Sequence, residues 1–516
     1  SLTKNTELLI SARRYITFLL NAPNYDHFFY LIFQDSYFES YQEDHYNSIS
    51  KDETFYFYDF TGKFLYDISK KDRLRLSFLT IYNNLNYEEQ STINDISESL
   101  NSKLIQRNIA GGLEYTRDWN TKFSTSAQFH ISNYNLDAIN FDILNDQRLI
   151  QENEVLDMSF KMDSKWSINQ NINLYSGYQF FEVGISNLED VNNPVFRRFI
   201  KEVNRSHSIF AETQFLSNNL NTNIKAGVRL NYISKFDTIL IEPRLSFSQR
   251  FANNFRIEFL GEFKSQTTSQ IIDLQNDFLG IEKRRWVLAN NTTIPIIKSK
   301  QTSVGIHYNK NNFLISAEAF YKYVEGITSR SQGFQNQFQF INAVGAYQVK
   351  GFDFLINKQF DKFSTWLSYS FSKNDYHFDT LNDGINFPNN ADITHAITFA
   401  NTYTLNNLKF ALGVNWHSGR PYTETDSDVS IENGAINYGL PNNSNLKDYL
   451  RIDLSATHDF KLFKTVNAEV GASIWNVLNT KNIINTYYTV DSDETINKIE
   501  NQSLGITPNV SLRLNF

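Results

Sequence analysis

The chain has no cysteine, which removes disulfides and thiolate metal sites and fits an oxidising envelope compartment. No apolar run approaches the ~20 residues that a membrane-crossing helix needs. The longest, around Phe28-Phe29-Tyr30-Leu31-Ile32-Phe33, is far too short. A net charge of −8 and a pI of about 5.7 lack the basic excess of a general nucleic-acid binder, so no nucleic-acid partner is expected. HExxH pairs, Walker loops, GxSxG elbows and dinucleotide fingerprints are all missing, so neither an enzyme nor a bound cofactor is expected. The chain starts at Ser1 without a signal peptide and reads as a mature or truncated form.

What is present is aromatic residue: 44 Phe and 28 Tyr in a chain whose mean hydropathy is only −0.42. They fall in alternating patterns. Ile109, Gly111, Leu113 and Tyr115 share one side of an extended segment, and Asn108, Gly112, Glu114 and Thr116 share the other. Leu156, Met158, Phe160 and Met162 oppose Asp157, Ser159, Lys161 and Asp163. Phe255, Ile257, Phe259 and Phe263 oppose Arg256, Glu258, Glu262 and Lys264, and the final Val510, Leu512, Leu514 and Phe516 oppose Asn509, Ser511, Arg513 and Asn515. Period-two alternation marks strands with two unlike faces. About twenty such strands are expected, each near the ~9–11 residues that cross a bilayer at a tilt. A soluble sheet rarely ends on an amphipathic edge strand with a terminal aromatic, whereas a membrane barrel must keep its last strand apolar toward lipid.

Connections give an independent reading. Short Asn/Asp/Lys-bearing turns are expected at 69–72, 118–121, 169–171, 217–221, 252–254, 309–312, 361–362, 406–407 and 461–464, as in tight hairpins. Longer polar segments fall between them at 18–54, 87–105, 135–153, 185–206, 268–296, 326–345, 375–394, 420–448 and 478–504, with 235–239 short. Alternating short and long connections are the habit of outer-membrane barrels. The expected fold is an all-β, transmembrane antiparallel β-barrel, forming one domain over residues 1–516 in the bacterial outer membrane.

The chain resembles TonB-dependent outer-membrane receptors of the Bacteroidota type. The resemblance rests on His417-Ser418-Gly419-Arg420-Pro421-Tyr422-Thr423, Tyr449-Leu450-Arg451-Ile452-Asp453-Leu454, Ile474-Trp475-Asn476-Val477-Leu478-Asn479 and the closing strand to Phe516. Leu9-Ile10-Ser11-Ala12-Arg13-Arg14, Phe57-Tyr58-Asp59-Phe60 and the stretch from Gln275 to Trp286 add to it. The resemblance implies a 22-stranded barrel with an N-terminal plug, whose TonB-contacting segment lets TonB drive import of an external ligand. It also implies that plug, TonB box and two strands precede Ser1. A structural or accessory barrel in a larger outer-membrane assembly and a passive porin are the alternatives. A SusD-like lipoprotein over the loops is a further candidate partner.

Candidate site residues follow from these expectations. Inward charges Glu242, Arg244, Arg256, Glu258, Arg451, Asp453, Glu469 and Arg513 could face a plug, although most wall charges serve only to keep a lumen hydrated. Lys283-Arg284-Arg285-Trp286 could take an anionic or ring-bearing ligand; an interfacial Trp beside the phosphates of outer-membrane lipopolysaccharide is the stronger reading. Arg420 and Tyr422 stand at a strand exit, where Pro421 is expected to end ladder pairing. Glu424-Thr425-Asp426-Ser427-Asp428 and Asp491-Ser492-Asp493-Glu494 have oxygen spacing that Ca2+ could use, and solvated loops are the better reading. Phe516 is expected to act as the C-terminal barrel-assembly signal.

Overall fold

The computed structural model describes residues 5–14, 47–93, 96–142, 146–272, 284–432, 434–463, 466–490 and 494–515. Within these, regular structure is strand apart from three 3-10 turns. Phe516, Lys283, Asp491, Ser492, Asp493 and most of the 18–54 segment lie outside the described residues. The chain divides into two compact units, one holding Ser1–Leu20, Asp35–Leu245 and Glu262–Ile296, the other Asn21–Gln34, Ser246–Gly261 and Ile297–Phe516.

In the first unit, each strand pairs antiparallel with the next in sequence. The order is Thr6–Arg14, Asn47–Asp67, Asp72–Ile93, Ile96–Asp118, Phe123–Asp142, Gln147–Ser167, Ile172–Val191, Phe196–Leu216 and Thr222–Ile233. In the second, the ladder runs through Ile297–Lys310, Phe313–Thr328, Val344–Gln359, Phe363–His377, His395–Leu405, Leu408–His417, Tyr449–Lys461, Asn467–Trp475 and Thr507–Asn515. With Thr238–Phe251 and Phe255–Gln266, the described residues hold twenty long strands, as the alternation predicts.

The faces of these sheets are inverted relative to a water-soluble core. On Phe196–Leu216, Ile209 is 56% exposed, while Asn204 and Ser208 on the opposite face are each 2% exposed. On Gln147–Ser167, Leu156, Phe160, Met162 and Trp166 are exposed, whereas Asn153 and Ser159 are buried. The second unit repeats the pattern, with Val304, Ile306, Leu454 and Val470 exposed. Soluble proteins bury such residues and expose the polar ones. Here buried polar groups pair with one another across the wall: Gln179 donates to Ser159 at 2.9 Å, and the Asn204 amide donates to Thr267 Oγ1 at 3.1 Å. A wall with an oily outside and a hydrogen-bonded inside is what lipid selects.

The eight short connections that lie wholly within the described residues are tight turns, and several close on their own side chains; 461–464 runs into residues outside that description. Ser69 Oγ accepts the N–H groups of Lys71 and Asp72 at 3.0 and 3.1 Å. Asn120 Oδ1 accepts those of Lys122 and Phe123, and Asn169 Oδ1 those of Asn171 and Ile172, at 2.8–2.9 Å. Between the paired Lys310 and Phe313, Asn311 and Asn312 sit at φ 52° and 58°, the two-residue type I′ hairpin turn that Asn tolerates.

Strand length departs from expectation. The seven strands from Asn47–Asp67 to Phe196–Leu216 are 20–23 residues long, not 9–11. Segments 87–105, 135–153 and 185–206 are therefore not loops over most of their length but continuations of these ladders. The cause is that beyond the bilayer a ladder no longer needs an apolar side. Asp137, Glu152, Glu154 and Lys201 occupy the face that carries Ile131, Leu156 and Val203 nearer the turns. At ~3.3 Å per residue such strands run roughly 70 Å, far more than an apolar band of ~25 Å requires.

Candidate ligand-facing loops and polar wall

The polar face of the first unit is wired within itself. Arg229 donates to Gln179 Oε1 at 2.8 Å, Ser208 Oγ at 2.9 Å and Asn231 Oδ1 at 2.7 Å. Buried Glu242 accepts the Ser265 N–H at 2.8 Å and its hydroxyl at 2.6 Å. Arg244 is exposed and makes no ion pair among the described residues. In the second unit, Arg256 pairs with Glu258 at 3.2 Å, and Glu258 also meets His307 at 3.0 Å. Arg451 pairs with Asp453 at 2.9 Å, and Glu469 with its cross-strand partner Arg513 at 3.3 Å. Apart from Arg244, these charges already have partners in the wall.

The segment holding Arg284, Arg285 and Trp286 is not an open loop. Thr268–Ile272 pairs with Arg284–Leu288 as a small hairpin laid on the polar face of the long strands. Its backbone is gripped by side chains: Asn153 Oδ1 accepts the Trp286 N–H at 3.1 Å, and Asn187 donates to the Trp286 carbonyl at 3.0 Å. Arg285 meets Glu189 at 3.4 Å, and Leu288 packs with Val183 and Ile185. Lys235 bridges Glu202 at 2.8 Å to the Ala289 carbonyl at 3.0 Å. Alternation could not reveal this docking, because the partners lie about a hundred residues apart.

In the second unit, the connections build a second layer. Phe334 is 1% exposed and lies 5.3–6.0 Å from the rings of Phe338, Tyr376, Phe378 and Phe387. Val324, Ile327, Ala343 and Leu381 complete this core. A buried polar chain ties a third connection to it. Asn336 donates to Thr423 Oγ1 at 2.9 Å, and Asn442 donates to Asn390 Oδ1 at 2.8 Å and to the Pro388 carbonyl at 2.7 Å. Pro421 and Tyr422 do not end pairing: they start a two-residue ladder with Asn445 and Ser444. Proline is tolerated at such a short edge.

Arg420 and Tyr422 anchor that layer to the hairpin formed by Ile483–Val490 and Ile496–Gln502. The Arg420 guanidinium donates to the Ile484 carbonyl, and burial lowers its pKa. Tyr422 donates to Glu424 at 2.7 Å and receives Lys498 at 3.2 Å, with the same ammonium 5.1 Å above its ring. The Asp426 carboxylate accepts the N–H groups of Asp428 and Val429 at 2.9 and 3.1 Å, which hold it below the usual carboxylate range. Burial instead raises Asp392. The resulting ledge presents phenol, ammonium and carboxylate groups together. On the polar face of the same unit, Thr402, Ala411, Gly413, Ser455, Ser473 and Asn509 line a cavity of about 470 Å³.

The family described as TonB dependent receptor-like, beta-barrel, matches residues 15–477. The chain belongs to the TonB-dependent receptor barrels. The receptor fold is seen independently in solved structures. The ferric citrate transporter FecA in its unliganded form superposes with a TM-score of 0.62 at 9% identity, covering 91% of this chain and 78% of that one. The outer membrane transporter YddB from Escherichia coli gives 0.56 at 11% identity, covering 89% and 75%. The copper transporter OprC gives 0.58 at 9% identity, covering 90% and 78%. No curated protein matches the chain in sequence. The receptor barrel is thus an outer-membrane protein, and its family and structural neighbours are transporters and receptors rather than enzymes. Its short turns belong to the periplasmic side and its long connections to the exterior.

Proposed function

We propose that this barrel is the wall of an energised importer: an external ligand binds the long connections, and TonB, acting on a plug, opens a path through the barrel. The observation that carries this reading is the folded loop layer of the second unit. A passive pore gains nothing from a dedicated aromatic core and a buried Asn336–Thr423–Asn442 chain in its connections. A receptor gains a surface already ordered before the ligand arrives, which lowers the entropic cost of binding. Ferric citrate and copper are cargoes named for structural neighbours; for this receptor, the ledge around Tyr422, Glu424 and Lys498 is the proposed contact surface. Arg284, Arg285 and Trp286 are proposed to support that function structurally, as a hairpin held against the wall.

Uptake by intact cells is the test. Import should stop when the proton gradient is collapsed, and the purified full-length protein should be nearly silent in planar bilayers. Steady conductance would establish a porin instead. A cellular role that survives deletion of the TonB-contacting segment would establish an accessory barrel.

A further inference from the structure

One strand of the first unit outruns its neighbour. Thr222–Ile233 turns back at Ser234–Phe236, so its ladder with Phe196–Leu216 stops at the Ser206–Ile233 pair. On the other side, Ile172–Val191 accompanies Phe196–Leu216 to its very end, at the Val191–Phe196 pair. The stretch from Phe196 to Arg205 is therefore an edge: among the described residues, no strand pairs with its second side. The docked hairpin crosses the polar face nearby but ladders only with itself.

Which backbone groups stand open follows from the register. Leu216 donates its N–H to the Asn171 carbonyl on one side, and Ser217 donates to Thr222 on the other. Antiparallel ladders alternate the two sides residue by residue, and the register runs unbroken back to Phe196. The N–H and C=O groups of Arg197, Phe199 and Lys201 thus point to the open side. All three side chains are exposed, Phe199 by 60%, on the exterior side of Val203, where the apolar face begins. Such a row is a template for another strand.

Charge selects the occupant. The chain carries a net −8, yet this edge holds Arg197, Arg198, Lys201 and Arg205 against Glu202 alone. Arg197 and Arg205 reach Asp190 and Glu182 on the neighbouring strand, and Glu202 takes Lys235. Arg198 and Lys201 have no carboxylate partner among the described residues. A second copy, upright in the same membrane, would set Lys201 against Lys201 at equal height, which is unfavourable.

We propose that the edge from Phe196 to Lys201 captures an extended acidic segment of another protein at the cell surface by strand addition. In antiparallel register the segment sets a carboxylate opposite Lys201, an apolar side chain opposite Phe199 and a second carboxylate opposite Arg198, the pattern Glu-Thr-Val-Glu. This rests on the exterior location of the edge and not on the import reading. The test is fluorescence anisotropy of a labelled peptide carrying that pattern between threonine flanks, titrated with the full-length protein in detergent. The peptide should bind. Lysine in place of its glutamates, or methylation of its backbone nitrogens on the pairing side, should each abolish binding. Arg198→Gln with Lys201→Gln should weaken it about tenfold, the effect of two exposed ion pairs. Lys201→Pro also removes an open-side N–H while sparing the ladder with Ile172–Val191, and should weaken binding about fivefold more than Lys201→Gln. Heat-modifiable gel migration should show every variant folded. No binding of the acidic peptide would overturn the proposal. Equal binding of the methylated peptide would do so too, marking a plain electrostatic patch, as would Lys201→Pro no weaker than Lys201→Gln. A dimer seen by light scattering and dissolved by Lys201→Pro would put a second copy on the edge instead.

Discussion

The two units solve the same problem differently. In the first, strands continue past the bilayer as 20–23-residue ladders, and what lies on them is a docked hairpin. In the second, strands are 9–16 residues long, and the connections fold around a core of their own. A ladder is held by backbone hydrogen bonds and tolerates polar side chains on both faces. A folded connection has few ladder bonds, so it depends on burying rings. The first arrangement should resist single substitutions, and the second should fail when its central ring is lost.

The largest expected effect is therefore at Phe334. Phe334→Ala should cost the loop layer about 3–5 kcal/mol, read as new protease cleavage within 326–343 and 378–394 while the barrel keeps its heat-modifiable migration. Unchanged cleavage would show that the layer does not depend on this core. A smaller effect is expected in the first unit, where Asn153→Leu leaves the Trp286 N–H without its acceptor. Loss of that buried bond should cost about 1–3 kcal/mol and speed amide exchange through Arg284–Leu288, with the long ladders unaffected.

Acid should distinguish two carboxylates of the loop layer. Asp426 is lowered by backbone N–H donors, so its contribution is complete above the unfolded value of about 4 and is lost as pH falls through the folded one. Asp392 is raised by burial, so its contribution is complete below that same unfolded value and fades as pH rises through the folded one. Asp426→Asn should therefore weaken the 426–429 turn at neutral pH and remove its acid sensitivity. Asp392→Asn should leave neutral stability equal or higher. Chemical-shift titration of the two loops, or exchange measured across pH 3–7, reads both signs.

The membrane wall was legible because lipid imposes a period: Leu156, Met158, Phe160 and Met162 face one way at every second position, and the turns announce themselves in Asn and Asp. Beyond the bilayer that rule lapses, which is why the extension carrying Asp137 and Glu152 reads as a loop. The core around Phe334 was illegible for another reason. Rings in irregular backbone follow no period, and Phe334, Tyr376 and Phe387 meet only through the fold. The ledge was half visible: Arg420 and Tyr422 stood out as motif residues, but Lys498 is 76 positions away from Tyr422.

The self-clasped turns carry a consequence for biogenesis. Where Ser69, Asn120 or Asn169 closes a connection with its own oxygen, the adjoining strands start from a fixed register at very small loop entropy. Each hairpin can then zip outward from its periplasmic end without waiting for distant partners. Insertion becomes a sequence of local steps, and the slow, error-prone part of maturation shifts to the exterior connections of the second unit, whose rings must find one another last.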